Sequence, residues 1–526
     1  MSPRDKRNEV ASELRPLEFG RWAWRQLTSM RTALLLLLLL AIAAVPGSFI
    51  PQRGVDARAV QAYYLDHPKL APVLEKLGMF SVFSSVWFSA IYLLLMVSLI
   101  GCILPRCKVY AQGLKARPPK APRNFGRLPA NDRFETEKSV AEVLEAGRRA
   151  LPRARIDVVQ DSEDAGELRS EKGYLRELGN LVFHICIVVA LLGVAAAALW
   201  GYRGNVIVVE GGGFSNTLSQ YDEFSSGAMF DAQTDLDPWS IQLEDVLTRF
   251  YVEGNQRGAP KLFRATGTYN EAGSDDDGEF SIEVNHPLAV GGEDVFLVGQ
   301  GYAPVIRVTD STGRVAFDGP VPFLPADSTY TSTGVVKVPD ADGEQLGFQG
   351  FFLPTAFSSD PDEPSVSVFP GALNPRIGMN LWTGDLGLDE GVSQSVYSLD
   401  TTNMTQVKDG DGNFRVDLGP GESQDLPGGG TIEFVELKQF ARFQIGHTPV
   451  PWLPLFGVGV GILGLTASLI VRPRRTWIRA RRDGSRTVVE VAALDRVPRD
   501  DLPAELDDLL TRLHAELGDE HEKEPA

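Results

Sequence analysis

The sequence predicts an integral membrane protein with four transmembrane α-helices. A large β-rich extracytoplasmic domain, of sandwich or open-barrel type, lies between helices 3 and 4, and a small α+β domain lies in the cytoplasm. Three observations carry this reading. Residues 32–50, 86–104, 179–201 and 452–471 are long and apolar enough to cross a hydrocarbon core of about 30 Å at helical rise. Lysine and arginine crowd beside only some of their ends. Residues 202–451 break into short β-type runs separated by Gly, Pro, Asp and Asn.

Residues 1–31 form a basic leader whose segment FGRWAWRQLTSMRTA is amphipathic and suits the membrane interface. The first span holds an unbroken leucine run, Leu34 to Leu40. Small residues follow it, but its basic leader is too long for a typical signal peptide, so it reads as a retained helix. The loop 51–85 has a turn at Asp66-His67-Pro68 and a short helix over Val73–Leu77, with His67 a loop residue.

After the second span, residues 105–178 begin with a stiff linker, Arg117 to Arg123. Strands at Arg133–Glu137 and Arg155–Gln160 then flank a helix over Ser139–Ala150, with Val140, Val143, Leu144 and Leu151 on one face. So short a unit cannot bury a sizeable core and is expected to pack on the membrane helices or a partner.

In 202–451 the strand-like runs are Val206–Val209, Phe280–Val284, Val295–Val298, Val305–Val308, Val335–Val338, Ser365–Phe369 and Ile432–Leu437. The tail, 472–526, offers a strand at Thr487–Val491 and an amphipathic helix over Leu502–Leu517, with His514 and His521 expected in solvent. Trp24, Trp87, Trp200, Tyr202, Trp452 and Trp477 mark the span edges as an aromatic belt.

Orientation follows from the basic clusters. Arg15, Arg21, Arg25 and Arg31 precede the first span, seven Lys/Arg residues from Arg106 to Arg127 follow the second, and six arginines from Arg472 to Arg482 follow the fourth. The positive-inside rule puts all three groups in the cytoplasm of a multi-pass cell (plasma) membrane protein. Both termini are then inside, and 202–451 is outside.

The formal charge of −18 is uneven: residues 202–450 hold 13 basic and 37 acidic residues. An acidic domain argues against nucleic acid and phosphate-rich ligands. The three cysteines, Cys102, Cys107 and Cys186, lie in or beside spans two and three and form neither a CxxC nor a CxxCH motif. They read as small buried hydrophobes. On the extracytoplasmic side stand only His67, His286 and His447, with no HExxH or GxSxG motif, so hydrolase and zinc chemistry lack a residue set there. Gly211-Gly212-Gly213 has no following lysine and reads as a turn. No catalytic residues are identified, and the chain is not read as a stand-alone enzyme.

One residue stands apart. His184 lies in the otherwise apolar stretch LVFHICIVVALLGVAAAALW of the third span, about 6 Å inside its cytoplasmic edge. An ionisable group there is costly and marks a candidate functional site. A neutral imidazole in apolar surroundings suits axial ligation of haem iron, because the porphyrin supplies the in-plane ligands. The alternative is a histidine that hydrogen-bonds a neighbouring helix. Asn180, one turn earlier, shares its face and is positioned to orient the second ring nitrogen or line the groove.

Several segments together resemble the ResB/CcsB family of cytochrome c biogenesis proteins (System II). WRQLTSMRTALLLLLLL with GSFIPQRG is similar to its first span, LGMFSVFSSVWFSAIYLLLMVSLIGC to its second, and EKGYLRELGNLVFHICIVVALLG to its third. SIEVNHPLAVGG and NPRIGMNLW resemble stretches of its outer domain, and PRRTWIRARRDG its exit from the fourth span. The resemblance implies a subunit of a haem-lyase complex, working with a multi-span ResC/CcsA-like partner. Together the two would move haem b across the membrane to CxxCH apocytochrome c kept reduced by a thioredoxin-like protein. His184 matches the third-span histidine, implied to be a haem axial ligand whose second ligand comes from the partner. Before the fourth span the chain has His447-Thr448-Pro449 where the family shows an Asp-Pro-Gly-like turn. No haem role is therefore carried onto His447, which reads as an interfacial residue. A membrane sensor and a partner-stabilising scaffold are the competing readings.

Overall fold

The computed structural model describes residues 16–55, 57–274, 277–360, 364–388, 396–410, 412–495 and 501–518; His521 lies outside them. The chain divides into two compact units, Met1–Val194 with Pro451–Ala526, and Ala195–Val450.

In the first unit, α1 (Pro16–Leu27) meets α2 (Met30–Phe49) at an elbow where the Ser29 hydroxyl accepts from the Thr32 amide. The loop after α2 carries α3 (Ala57–Asp66) and α4 (Ala71–Lys76), and α5 (Val86–Lys115) follows. The α1–α2 elbow presses into α5. Ser98 Oγ donates to the Leu27 carbonyl at 2.6 Å, and Cys102 Sγ lies 3.0 Å from the Thr28 carbonyl. A Cβ on Gly101 would come within 2.2 Å of the Thr28 side chain, so only glycine admits the elbow there.

α5 runs to Lys115, well past the expected end of the second span. Its basic last turns are helical because the freed carbonyls find a cationic cap. Arg155 donates to the carbonyls of Gly113 (3.0 Å) and Leu114.

Five antiparallel strands form one sheet in the order Ala130–Thr136, Arg486–Asp495, Arg474–Asp483, Ala165–Lys172 and Arg155–Ser162. Helices α6 (Val140–Ala150) and α9 (Leu502–Leu517) close a core with Leu144, Leu168, Ile478, Val489, Leu506 and Leu513 fully inside it. The expectation that this small unit packs on the membrane helices or a partner for a core is thus corrected: the C-terminal tail of the same chain completes it. On the other face, the linker lies over Trp477, whose indole donates to the Pro119 carbonyl at 2.9 Å. His514 is not in solvent. It shares the buried face of α9 with Leu510 and Leu517 and meets Phe134 edge-on, 4.3 Å between centroids.

Helices α7 (Leu175–Trp200) and α8 (Trp452–Ile470) complete, with α2 and α5, the four helices among the described residues that are apolar and long enough to span a membrane.

The second unit is β-rich. Its spine is an antiparallel ribbon of two 17-residue strands, Glu293–Thr309 and Thr431–His447. The runs expected as separate strands at Val295–Val298 and Val305–Val308 are one strand. Register shifts at Leu297/Gly299 and Val305/Ile306 let it bend without ending. One half of the ribbon packs against the sheet of Trp239–Phe250, Pro260–Glu271 and Gly278–Glu283, around Leu243, Ile282, Val295 and Phe443. The other half packs against Ser332–Val338, Gln345–Leu353 and Arg376–Gly384, around Ile306, Phe348, Ile377 and Phe434. Two face-to-face packings therefore share one ribbon. The run Ser365–Phe369 contributes only the two-residue strand Val366–Ser367.

Candidate functional site

The site is built outward from the N-terminal lead of α7. Glu171 accepts from Arg475 at 2.9 Å and from the Tyr174 hydroxyl at 2.5 Å, and Arg155 donates to the same hydroxyl at 3.1 Å. Lys172 is the register partner of Arg474. Gly173 takes φ +95°, and a Cβ there would meet the Arg472 carbonyl oxygen at 2.3 Å. The start of α7 and the segment leaving α8 are therefore side by side, joined by strand pairing.

Within the bilayer segment, α7 and α8 touch through small residues. A Cβ on Gly179 would lie 2.4 Å from the Gly464 carbonyl oxygen, one on Gly457 2.8 Å from the Cys186 carbonyl oxygen, and one on Gly193 2.7 Å from the Pro454 ring. Such close backbone approach is the usual basis of helix association where lipid removes the hydrophobic drive.

His184 lies about 160° around the helix from Cys186, on the side turned away from α8. It is half-buried, and its ring is edge-on to Phe183 with 5.2 Å between centroids. Nδ1 lies 2.7 Å from the backbone carbonyl of Asn180. A carbonyl only accepts, so Nδ1 carries a proton, and in the neutral tautomer Nε2 is the nitrogen with the lone pair. In the neutral ring this leaves one nitrogen available to a ligand. That donor set fits one axial position of a haem iron and supplies no second one.

Asn180 acts here through its backbone. A further polar group had gone unnoticed in the sequence: the Tyr92 hydroxyl of α5 donates to the Leu191 carbonyl of α7 at 2.5 Å. Leu191 stands two turns beyond His184 on nearly the same face. A lone tyrosine amid Ile-Tyr-Leu-Leu-Leu was the available clue. Among the described residues no three His, Cys, Asp or Glu side chains come together as a metal cluster.

In the first unit, His67 meets Tyr63 at the end of α3 with its ring tilted by 58° and 4.5 Å between centroids. In the second unit, His286 is exposed, and His447 donates through Nδ1 to the Gly292 carbonyl at 3.1 Å. His447 is also the register partner of Tyr202, so the strand leaving α7 and the strand leading to α8 are paired. Beside them Glu293 is buried and accepts from the Trp239 indole at 2.5 Å and the Asn216 amide at 2.9 Å. Burial pushes its carboxyl above the usual glutamate range, against these hydrogen bonds.

A family model described as the ResB-like family matches residues 30–507. Among curated relatives, a cytochrome c biogenesis protein CcsB of Trichormus variabilis is 26% identical over 298 residues, 54% of this chain and 60% of that protein. Its counterpart from a Nostoc species is 26% identical over 297 residues, with the same coverage of 54% and 60%. A CcsB of a Synechococcus strain is 27% identical over 359 residues, covering 61% of this chain and 74% of the relative. The chain thus spans about 60% of the length of the first two relatives.

Proposed function

The chain belongs to the ResB-like family, and from that membership we propose that it is a haem-handling subunit of a cytochrome c maturation complex rather than a stand-alone enzyme. Its partner would be a ResC/CcsA-like multi-span protein. The cargo would be haem b, held transiently in the membrane and passed to CxxCH apocytochrome c kept reduced by a thioredoxin-like protein. His184 is the residue that carries this reading: its Nδ1–H is held by the Asn180 carbonyl and its Nε2 is left for a ligand on the side of α7 away from α8.

In this account haem supplies the iron that accepts Nε2, and the partner completes the coordination. The chain's own contribution is positional. The Gly179, Gly457 and Gly464 contacts fix α7 on α8, and the Asn180 carbonyl fixes the ring tautomer.

The proposed location is the cell membrane, with both termini in the cytoplasm and 202–451 outside. Two observations support it. The basic clusters flank the first, second and fourth spans on the sides that this topology places inside. The end of α5, the start of α7 and the segment after α8 all meet the one five-stranded sheet. The reading is tested by cytochrome c yield in cells carrying His184→Ala, with His67→Ala as control. Loss with the first and normal yield with the second is expected; normal yield with both would leave only a scaffold role.

A further inference from the structure

In the strongly acidic stretch 202–450, four of the 13 basic residues lie on one hairpin; Arg264 pairs with Glu283, and the other three gather near its tip. Arg249 ends the strand Trp239–Phe250, Lys261 begins the strand Pro260–Glu271, and Arg257 lies in the loop between them. All three are exposed, and none forms an ion pair with a described carboxylate. They rim two adjoining clefts of about 450 and 460 Å³ that share Phe369.

The walls between them are aromatic. Phe250 stands 6.1 Å from Phe369 and 5.5 Å from Tyr330, and Tyr330 6.5 Å from Tyr302, centroid to centroid. The Arg257 guanidinium lies over the Phe369 ring at 5.5 Å. Glu210 is the one carboxylate among the described lining residues. Its oxygens already accept from the backbone amides of Val246 (3.1 Å) and Gln439 (2.9 Å). The Thr248 hydroxyl, also lining, is buried without a hydrogen-bond partner among the described residues. At the rim, Val252 and Leu373 are 63% and 71% exposed.

We propose that this double cleft docks a short extended peptide segment of a partner protein, presenting a carboxylate beside an aromatic or aliphatic side chain. Charge complementarity selects the carboxylate: three cations without ion-pair partners among the described residues, in an otherwise acidic domain, are a local inversion of sign. The aromatic floor and exposed apolar rim select the adjacent side chain. Small-molecule sites enclose most of their ligand, whereas these clefts are shallow, adjoining and open along their length, which suits a chain segment. The inference does not depend on haem handling.

The test uses the full chain in nanodiscs and fluorescence anisotropy with labelled hexapeptides. One alternates Asp with Phe and Leu, one replaces each Asp with Lys, and one replaces Phe and Leu with Ser. The acidic–aromatic peptide is expected to bind best. Arg257→Glu with Lys261→Glu, both at exposed positions, should weaken it by about tenfold or more and improve the lysine peptide. An unshifted unfolding temperature confirms that the double variant is folded. Equal affinity for all three peptides, no response to the charge reversal, or binding of dodecanoate as tight as that of the peptide would each overturn the proposal.

Discussion

His184 donates through Nδ1 to the backbone carbonyl of Asn180, 2.7 Å away and one turn earlier on the same helix. That bond settles which nitrogen is left over. An imidazole buried in a greasy helix often spends both nitrogens on neighbouring helices. Here one is spent within α7 itself, and the ring stands on the side away from α8.

Because the acceptor is a backbone atom, the Asn180 side chain is dispensable for this bond. Asn180→Ala is expected to keep bound haem, measured as Soret absorbance per protein, within about twofold of the wild type. A loss as large as that of His184→Ala would show that the amide itself acts.

Gly173 holds the start of α7 against the Arg472 carbonyl in a conformation that other residues rarely adopt. Gly173→Ala is expected to cost about 2–4 kcal/mol and to lower the unfolding temperature in detergent. Gly484→Ala is the control: its φ is also positive, at +59°, but nothing lies within 4 Å of its Cβ direction. Equal losses in the two variants would mean that the close approach at Gly173 contributes nothing.

Arg474 and Asp495 pair through two hydrogen bonds of 2.7 and 3.1 Å, with side chains only 6% and 5% exposed. Removing Asp495 leaves the buried Arg474 guanidinium with the part-exposed Glu505 as its remaining carboxylate, so Asp495→Ala should destabilise the first unit by about 1–3 kcal/mol. The double change Arg474→Met with Asp495→Leu should recover most of that loss. A double variant no better than the single would show that the pair stabilises the sheet beyond its own desolvation.

The second unit has a proton-linked term at Glu293. Burial raises its folded pKa above the unfolded value, so between the two values the folded state holds a proton that the unfolded state has already lost. Its contribution is therefore least unfavourable below the unfolded pKa, and stability is lost as pH rises through the raised folded value. Glu293→Gln keeps a carbonyl oxygen for Trp239 and Asn216 but removes the titration. The difference in unfolding temperature between variant and wild type should grow in the variant's favour from acid to neutral pH; a constant difference would contradict this.

How much of this was legible in the sequence depends on how local each signal was. The helix Leu502–Leu517 was readable to the residue, because Leu506, Leu509, Leu510, Leu513 and Leu517 keep helical spacing. The same periodicity placed His514 on the buried face, yet its polarity suggested solvent; burial beside Phe134 is a tertiary fact. The strand Arg474–Asp483 was hidden because its arginines read as a membrane flank. It forms through long-range pairing with Ala165–Lys172 and with Arg486–Asp495, and its charges are matched by Glu171, Asp495 and Glu505. In the strand Glu293–Thr309, Gly299, Gly301 and Pro304 looked like breaks, whereas pairing along the ribbon carries the strand through them. At the site, His184 was legible because an imidazole is conspicuous among leucines and valines. The role of the Asn180 carbonyl was not, since backbone acceptors leave no trace in residue identity. The Arg249, Arg257 and Lys261 cluster needed the hairpin to form before it could be seen.

The most direct measurement is the absorption spectrum of the chain purified with its ResC/CcsA-like partner, wild type against His184→Ala. Axial ligation by His184 predicts a Soret band that is lost or shifted in the variant and restored by added imidazole. An unchanged band at equal haem content would contradict it, and would move the ligand off α7.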